Sequence, residues 1–433
     1  MTAAPAQQAT SARWTPLAAF LKATELDTRM LGMIGALLII WIVFHFLSGG
    51  LFLTPRNLWN LSVQSSPVAI MATGMVLVIV TRNIDLSVGS MLGFVGMIMG
   101  VLQVDLLPKI LGFEHPAVWI VALLSGLLLG SALGALQGLV IAYFGIPSFI
   151  VTLGGLLVWR GAAWWVTSGQ TVAPLDARFR LMGGGPEGSI GATWSWAVGL
   201  AACAAVVALL LHGRARRKAF GFALRPMAAE IFLGAAACAL ILAAVAIVNA
   251  YPWPMGTVRR YAEANHLAVP AGGLFIAHGI AIPVLIAIGV GVAVTFLATR
   301  TRFGRYVYAI GGNPEAAELA GVNTRLVIVK TFTLMGLLAA VAAAISIARL
   351  NAATNAEGTL AELLVIAAAV IGGTSLAGGV GTVAGAMLGA VLMQSLQSGM
   401  VLLGVDTPLQ SIVVGAVLVA AVGLDIIYRR RMG

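Results

Sequence analysis

Charged residues are scarce in this sequence of 433 residues. Only 9% of its residues are Asp, Glu, Lys or Arg, whereas 60% are hydrophobic. Soluble domains carry about 25% charged residues, and a water-facing surface cannot be covered with so few. The scarcity of charge therefore excludes a soluble globular protein and predicts an all-α, polytopic membrane protein. Cysteine is scarce as well: Cys203 and Cys238 both lie in apolar runs, and we interpret them as buried side chains rather than a disulfide.

Sequence patterns for nucleotide, metal and covalent chemistry are missing too. No lysine follows the G-x-x-x-x-G of a phosphate-binding loop, so we do not expect this chain to hydrolyse ATP. The run GGVGTVAG at 378–385 follows no βαβ unit, which argues against a dinucleotide site. The five histidines are dispersed, and the sequence suggests neither paired acids nor a nucleophile constellation. We therefore predict that the chain is not an enzyme and binds no cofactor or metal.

Apolar runs long enough to be membrane spans recur along the whole chain. A helix needs about 20 apolar residues to cross the hydrocarbon core, and the first run is too long for a signal peptide. We predict a cytoplasmic tail at 1–29, one transmembrane domain at 30–427 and a basic cytoplasmic tail at 428–433. The domain contains twelve predicted spans, at 30–48, 64–81, 88–104, 118–144, 149–166, 194–211, 228–249, 279–298, 327–348, 360–376, 381–403 and 409–427.

The basic residues orient these spans. With the N-terminus in the cytoplasm, 17 of the 25 Lys and Arg residues fall on inner segments, seven on outer segments, and Arg160 within a span. Because Lys and Arg are retained on the cytoplasmic side, both termini are predicted to be cytoplasmic, and the net charge of +10 needs no nucleic-acid partner. The segments 167–193, 250–278 and 349–358 are predicted outer loops. We expect Arg160 to snorkel to the outer interface.

Glycines recur every fourth residue in two predicted spans, at 126–138 and 381–389. This spacing aligns small side chains on one helix face and lets another backbone approach closely. Static helix packing is the simpler interpretation, and a helix that slides during gating is the alternative. The stretches 85–100 and 375–389 also resemble each other, as the repeated halves of a transporter do.

The longest inner segment between two spans, 299–326, predicts a short helix. Asn313 can cap this helix, Pro314 suits its first position, and Gly321 can end it. Acidic residues in its first turn suit the helix dipole. A two-turn helix in this place is either a docking site for a cytosolic partner or a plain linker.

The run EAAELAG at 315–321 resembles the EAA-three-residues-Gly motif of ABC importer permeases, in which a short helix docks into the ATP-binding subunit. The surrounding loop and three further motifs are similar to the monosaccharide branch of that family, the ribose, arabinose, galactose and xylose permeases. These motifs are NIDLSVGS at 83–90, IPSFIVTLGGLLVWRG at 146–161 and IGGTSLAGGVGT at 371–382. The resemblance implies an ABC importer permease fold, and it implies coupling to the ATPase through Asn313, Glu315, Ala316, Ala317, Glu318 and Gly321.

The resemblance also implies partners and a location. The partners are a cytosolic ATP-binding subunit that uses ATP and Mg, a periplasmic sugar-binding protein, a second copy of the chain in a homodimer, a monosaccharide substrate and the lipid of the bacterial inner membrane. Short members of the branch lack the segment 212–278, which contains an additional predicted span. This longer plan is most similar to xylose-type permeases, so xylose is the first substrate prediction. Ribose, arabinose and galactose are the alternatives.

Neutral polar residues in the spans are candidates for lining a sugar pathway, because a sugar carries hydroxyls and no charge. Such residues also simply join neighbouring helices. Asp85 is the one acid in a turn at membrane depth. It would shape the inner mouth of the pathway, or Asp85 or Ser87 would cap the third span, and both roles are compatible. The candidate pathway residues are Asn60, Gln64, Ser65, Ser66, Asp85, Ser87, Gln394, Ser395, Gln397 and Ser398.

An ion-coupled secondary transporter is the alternative class of protein. Such carriers place paired ionisable groups at mid-membrane, and the sequence predicts almost none within the spans. A carrier that works alone also has no need of a docking helix. The sequence therefore favours a permease that is driven by a separate ATPase.

Overall fold

The computed structural model describes residues 24–25, 28–112, 115–266 and 273–432. Most of the tail predicted at 1–29 lies outside these residues. The described chain is helical, and its only β pairings are isolated bridges between loops. The helices are α1 Thr28–Leu47, α2 Pro55–Val80, α3 Val88–Leu111, α4 Ala117–Phe144, α5 Ser148–Thr167, α6 Ala177–Arg180, α7 Gly191–Ala219, α8 Met227–Asn249, α9 Met255–Ala264, α10 Ile282–Arg300, α11 Arg302–Gly312, α12 Pro314–Leu319, α13 Thr324–Leu350, α14 Ala361–Ile371, α15 Val383–Leu402 and α16 Thr407–Met432.

Ten helices of the described chain are long and apolar enough to cross a membrane. Two shorter apolar helical segments, 361–371 and 407–420, fall at the two remaining predicted spans. The predicted all-α, polytopic fold with about twelve transmembrane elements is confirmed. The helix α16 continues to Met432, so the basic segment predicted to be a tail at 428–433 is largely helical.

The second span begins nine residues before its predicted start at 64. Thr54 caps α2 by accepting a hydrogen bond from the backbone N–H of Asn57 at 3.4 Å, and Pro55 occupies the first helical position. Several polar residues between Arg56 and Gln64 precede the predicted span. They lie within α2 because a helix can carry polar side chains wherever it lines an interior space.

The glycine face of α4 packs directly on α13. A Cβ atom at Gly134 would overlap the carbonyl oxygen of Phe332, and one at Gly138 would lie 2.8 Å from the Cα of Val329. Close backbone contact adds dispersion attraction without fixing long side chains. The packing role predicted for this glycine stripe is confirmed, and the stripe at 381–389 packs α15 against α14 in the same way.

The chain that follows α13 turns back into the helix bundle. Gly100 of α3 lies beside Ala353, whereas Gly89 lies beside Gly358. Eleven residues of helix separate the two glycines, so the chain descends about 16 Å along α3 within five residues. The segment 354–360 is therefore re-entrant, and its assignment to the outer side stays a prediction.

The helix α14 completes this re-entrant path and is itself only half a span. Its 11 residues are about 16 Å long, compared with the ~30 Å of a hydrocarbon core. The span predicted at 360–376 therefore crosses only together with the segment of turns before it. Sequence hydropathy missed this because the segment before α14 is polar and was assigned to a loop.

The N-termini of α3 and α14 meet inside the bundle. A Cβ atom at Gly358 would overlap the carbonyl oxygen of Gly89, and the φ of Gly358 is +71°, which favours glycine there. The sequences before and into the two helices correspond: NIDLSVGSML at 83–92 and NAEGTLAELL at 355–364 share Asn, an acid, a hydroxyl and a leucine at matching positions. Two broken helices in opposed orientation are typical of an inverted repeat.

This repeat makes α2 equivalent to α13, and α4 equivalent to α15. In agreement, α4 packs extensively on α13 while α15 packs extensively on α2. The repeat expected from 85–100 and 375–389 would instead equate α3 with α15, which occupy different places in the bundle. Shared glycine spacing produced that match, because both helices need small residues for packing.

The additional segment contributes the end of α7, all of α8 and a predicted outer loop that contains α9. His278 stacks on Tyr251 with ring centroids 4.2 Å apart, and Trp59 of α2 donates from Nε1 to the carbonyl of Gly279 at 2.9 Å. Burial lowers the pKa of His278 and so favours the neutral ring in this stack. These contacts anchor the additional segment to the N-terminal part of α2.

Candidate functional site

A polar cavity of about 580 Å³ lies between α2, α13, α14 and α15. Polar space inside an apolar helix bundle is energetically costly, and polar groups in such a place are typical of a functional pathway. Half of the ten predicted pathway residues line it, together with polar residues that were not predicted. The polar lining residues are Asn57, Asn60, Gln64, Ser346, Arg349, Glu357, Thr359, Gln394, Gln397 and Ser398.

Polar side chains of α2 and α15 pair at this cavity. Gln394 Nε2 donates to Gln64 Oε1 at 3.3 Å, and Ser398 Oγ donates to Asn57 Oδ1 at 3.3 Å. Both distances exceed the usual range for such bonds, so an incoming hydroxyl can replace either partner at little cost. Pro67 also lines the cavity, and because proline has no N–H, one backbone carbonyl of the preceding turn loses its helical donor.

The opposite wall of the cavity carries two charged side chains. Ser346 Oγ of α13 donates to a carboxylate oxygen of Glu357 on the re-entrant segment. Arg349 lies one turn beyond Ser346 and lines the same cavity. Among the described residues, no ion pair within 4.0 Å joins Arg349 to Glu357 or to any other acid.

Arg160 of α5 holds the re-entrant segment. Its Nη1 donates to the carbonyl oxygens of Asn355 at 3.1 Å and Glu357 at 2.8 Å. The expected snorkelling of Arg160 is wrong, because the non-helical segment offers unpaired carbonyls inside the bundle. Glu362 is also buried there, so ionisable groups do lie within the bundle, contrary to the sequence prediction.

Three predicted pathway serines lie apart from the cavity. Ser65 and Ser66 donate to backbone carbonyls one turn earlier in α2, at 2.7 and 2.9 Å, and they face an apolar space. Ser395 accepts a hydrogen bond from Trp41 Nε1 at 2.9 Å and is fully buried. These hydroxyls are satisfied within the protein, and contact between them and a substrate stays a prediction.

Asp85 and Ser87 form a buried cluster at the start of α3. Asp85 Oδ1 accepts hydrogen bonds from the backbone N–H of Ser87 at 2.8 Å and from its Oγ at 2.6 Å. Ser87 occupies the N-cap position without a capping bond of its own, and its Oγ is 2.9 Å from Gln137 Nε2 of α4. This geometry favours the capping interpretation of Asp85. Neither residue lines the polar cavity, and a role at the inner mouth stays a prediction.

The predicted short helix of the loop 299–326 is present as α12. Asn313 caps it through Oδ1, which accepts from the N–H of Ala316 at 3.0 Å. At its end the N–H groups of Gly321 and Val322 donate to the carbonyls of Glu318 and Ala317, at 2.9 and 3.0 Å. This is a Schellman motif, and the φ of +83° at Gly321 explains why a glycine ends the helix. The predicted helix and its caps are confirmed.

Five of the six predicted coupling residues are exposed, namely Asn313, Glu315, Ala316, Glu318 and Gly321. The sixth, Ala317, is buried in the protein core. Leu319, which was not predicted, is 90% exposed and is the largest apolar side chain on α12.

The preceding helix α11 connects α12 to the bundle. Arg82, just after the C-terminus of α2, donates to the carbonyls of Gly311 and Gly312, at 2.9 and 2.8 Å. Tyr308 donates to the carbonyl of Gly381, just before α15, at 2.7 Å. These bonds connect α11 to the ends of α2 and α15, the two helices whose amides line the cavity.

Helical spacing was the signal that could have identified the missed cavity residues. Asn57 precedes Asn60 by three residues and Gln64 by seven, so all three lie on one face of a helix. Ser346 and Arg349 are likewise three residues apart. Glu357 had no such signal, because its position depends on the re-entrant fold.

A multi-pass helical bundle with an internal polar cavity and a capped helix on its inner loop has the architecture of a transport permease. The family described as branched-chain amino acid transport system / permease component matches residues 57–231 and 197–422. The chain therefore belongs to this family of transport-system permease components. No solved structure matches it significantly.

Named relatives of the chain are sugar permeases. The chain is 38% identical to the xylose transport system permease protein of Escherichia coli strain K12, over 94% of both chains. It is 34% identical to the protein of the same name from Haemophilus influenzae, over 92% of this chain and 96% of the relative. The ribose import permease protein of Escherichia coli strain K12 is 32% identical, over 90% of this chain and 91% of the relative.

Proposed function

We propose that this chain is the membrane-spanning subunit of an ATP-driven importer that translocates a monosaccharide, xylose in the first place. The observation that carries the proposal is the polar cavity, which is lined by amides and hydroxyls and lies inside a permease of this family. Relatives named for xylose are 38% and 34% identical, whereas those named for ribose and D-allose are 32% and 28% identical. Ribose, arabinose and galactose are the alternative cargoes.

The chemistry of the cavity suits a neutral polyol. Amide side chains offer both donors and acceptors, and each sugar hydroxyl is itself a donor and an acceptor. The side chains of Gln64 and Gln394 satisfy each other while the cavity is empty of sugar and turn to its hydroxyls during passage. The sugar exchanges one set of weak hydrogen bonds for another as it passes through the cavity. Such exchange permits its movement, because tight binding inside the pathway would slow release of the sugar.

Energy for transport comes from a separate ATP-binding subunit, which uses ATP and Mg and docks on α12. Leu319 and Ala316 form the exposed apolar contact, and the buried Ala317 fixes the helix to this chain. Arg82 then transmits the movement of α11 and α12 to α2. A periplasmic sugar-binding protein delivers the cargo, and two copies of the chain form the complex in the bacterial inner membrane.

Replacement of Leu319 by aspartate tests the docking of α12. We expect Leu319→Asp to lower retention of the ATP-binding subunit and xylose uptake at least tenfold, because hot-spot apolar contacts tolerate no buried charge. Phe222→Asp is the matched control: it removes an exposed apolar side chain from another predicted inner loop. Uptake and retention of the ATP-binding subunit at parental levels in Leu319→Asp would refute the docking proposal.

Cysteine labelling tests the proposed orientation, with both termini cytoplasmic. In a background carrying Cys203→Ala and Cys238→Ala, Asn265→Cys on the outer loop should react with an impermeant thiol reagent added to intact cells. Ala316→Cys on α12 should react only after the cells are opened. Both positions are exposed, so reversed labelling would overturn the orientation.

Ion-coupled transport is the second candidate, because Arg160 and Glu362 place charges inside the bundle. Arg160 is committed to two backbone carbonyls, which favours a structural role for it. Deletion of the ATP-binding subunit separates the two candidates. Loss of uptake supports the ATP-driven importer, whereas uptake that persists and is abolished by a protonophore supports ion coupling.

A further inference from the structure

We infer that Arg349 and Glu357 form a recognition site for the hydroxyl groups of a neutral polyol within the cavity. The inference rests on the proposed function, which makes the cavity the sugar pathway, and adds where and how the sugar rests in it. The two side chains are the only charged ones that line the cavity among the described residues.

Unpaired opposite charges in one cavity are the first observation. The guanidinium of Arg349 has no hydrogen bond or ion pair within the part of the chain that the structure describes. Glu357 is bound through one carboxylate oxygen to Ser346, and the other oxygen has no hydrogen-bond donor among the described residues. Arg349 is exposed and Glu357 is half-buried, so both groups are open to a molecule that lies between them and offers hydrogen-bond donors and acceptors.

The fixed position of Glu357 is the second observation. The carboxylate of Glu357 accepts a hydrogen bond from Ser346 Oγ. Its backbone carbonyl accepts one from Arg160 Nη1 at 2.8 Å. Arg349 extends from α13 and also lines a separate polar pocket of about 240 Å³ among the outer loops. Positions fixed in advance reduce the entropy lost when a ligand binds, and Arg349 connects the cavity to the outer side.

The chemistry of the pair defines the ligand. A carboxylate accepts from two hydroxyls and a guanidinium donates through several N–H groups, so adjacent hydroxyls of one molecule satisfy both. The two charges cancel, which suits an uncharged ligand. No aromatic residue is among those described that line the cavity, so the face of a sugar ring has nothing to stack on. Recognition therefore depends on hydroxyls, and linear polyols should bind as well as cyclic sugars.

A cysteine-protection experiment on the full-length permease in nanodiscs tests this site. Thr359→Cys, in a background carrying Cys203→Ala and Cys238→Ala, places a thiol in the cavity two residues from Glu357. D-xylose and the linear polyol ribitol should both slow its alkylation, and trimethylamine N-oxide at equal osmolarity should not. Adding Glu357→Gln should raise the xylose concentration for half-protection at least tenfold. Arg349→Lys keeps the positive charge but loses the planar guanidinium with its several N–H donors. It should raise the half-protection concentration of xylose by a smaller factor.

Glu362→Gln is the matched control, because Glu362 is a buried carboxylate of the neighbouring helix that does not line the cavity. It should leave the half-protection concentration unchanged. The alkylation rate without sugar, compared between variants, separates loss of binding from a changed fold. Equal protection in the parent and in Glu357→Gln would overturn the inference, as would protection by xylose alone and not by ribitol. A parent that transports xylose without any protection overturns this inference and leaves the proposed function standing, whereas a parent that transports no sugar removes the proposed function itself.

Discussion

The α4–α13 pair and the α2–α15 pair occupy equivalent places in the inverted repeat but differ in what lies between the helices. Between α4 and α13, glycines bring backbone against backbone and leave no space for a ligand. Between α2 and α15, pairs such as Gln64 and Gln394 meet at long hydrogen-bond distances beside a cavity of about 580 Å³. The same arrangement of helices thus provides one closed, apolar interface and one open, polar interface.

This difference separates stability from transport. Dispersion attraction in a close-packed interface is lost as soon as the helices move apart, so α4 and α13 form a fixed unit. Amide pairs around a cavity lose little when they exchange one partner for another. We therefore expect substitutions in the closed interface to unfold the protein, and substitutions in the polar interface to impair transport in a folded protein.

The largest effect is expected from Gly134→Ala in the closed interface. The added methyl group would overlap the carbonyl oxygen of Phe332, and overpacking of this kind costs about 1–3 kcal/mol. Gly154→Ala in α5 is the matched control, because no atom lies within 4 Å of its Cβ position. The measurement is the temperature at which half of the detergent-solubilised protein loses its monodisperse peak. Equal temperatures for the two variants would mean that α4 and α13 are not the rigid unit described above.

The polar interface should respond in the opposite way. The pair Gln64→Leu with Gln394→Leu replaces both partners of a weak hydrogen bond by apolar groups of similar size, which is nearly neutral for stability. Uptake of xylose should fall at least tenfold, because the substitutions remove two amide groups that donate and accept hydrogen bonds in the cavity. A lowered melting temperature together with normal uptake in the surviving protein would reverse the assignment of roles to the two interfaces.

A smaller effect is expected outside both interfaces, at the ion pairs of the predicted inner side. Hydrogen bonds from Arg217 and Arg225 lower the pKa of Glu25 to about 2 from 4.5. A depressed pKa stabilises the folded state above pH 4.5, and that contribution is lost as the pH falls towards 2. The melting temperatures of the parent and Glu25→Gln should differ slightly and constantly between pH 7 and 5, and converge below pH 4.5. The pair is exposed and screened, so a large difference, or one that grows in acid, would contradict this interpretation.

The sequence was sufficient to predict the elements that depend on local patterns. Hydropathy located the membrane spans, four-residue glycine spacing identified the face of α4 that packs closely on another helix, and Asn313 with Gly321 defined the limits of α12. Each of these features follows from residues that are close in sequence. Orientation in the membrane and the oligomeric state stay predictions.

The re-entrant segment and the cavity wall could not be predicted in this way. The segment 354–360 reads as an ordinary polar loop, and its path depends on contacts with Gly89 of α3 and Arg160 of α5, far away in the chain. For the same reason Glu357 gave no signal as a cavity residue. The side of α2 that faces the cavity was also ambiguous, because the predicted span began nine residues too late and left out Asn57 and Asn60.

The smallest effect is expected from Ser65→Ala, and it sharpens the comparison within a single helix. Gln64 and Ser65 are neighbours in α2, but Gln64 lines the polar cavity whereas Ser65 faces an apolar space and donates to the carbonyl of Leu61 at 2.7 Å. Loss of that bond leaves a carbonyl that still accepts within the helix, so stability and uptake should both stay near parental values. Gln64→Ala, by contrast, should reduce uptake severalfold with the same amount of inserted protein. If both variants lose uptake equally, the pathway includes the apolar side of α2, and the polar cavity is only one part of it.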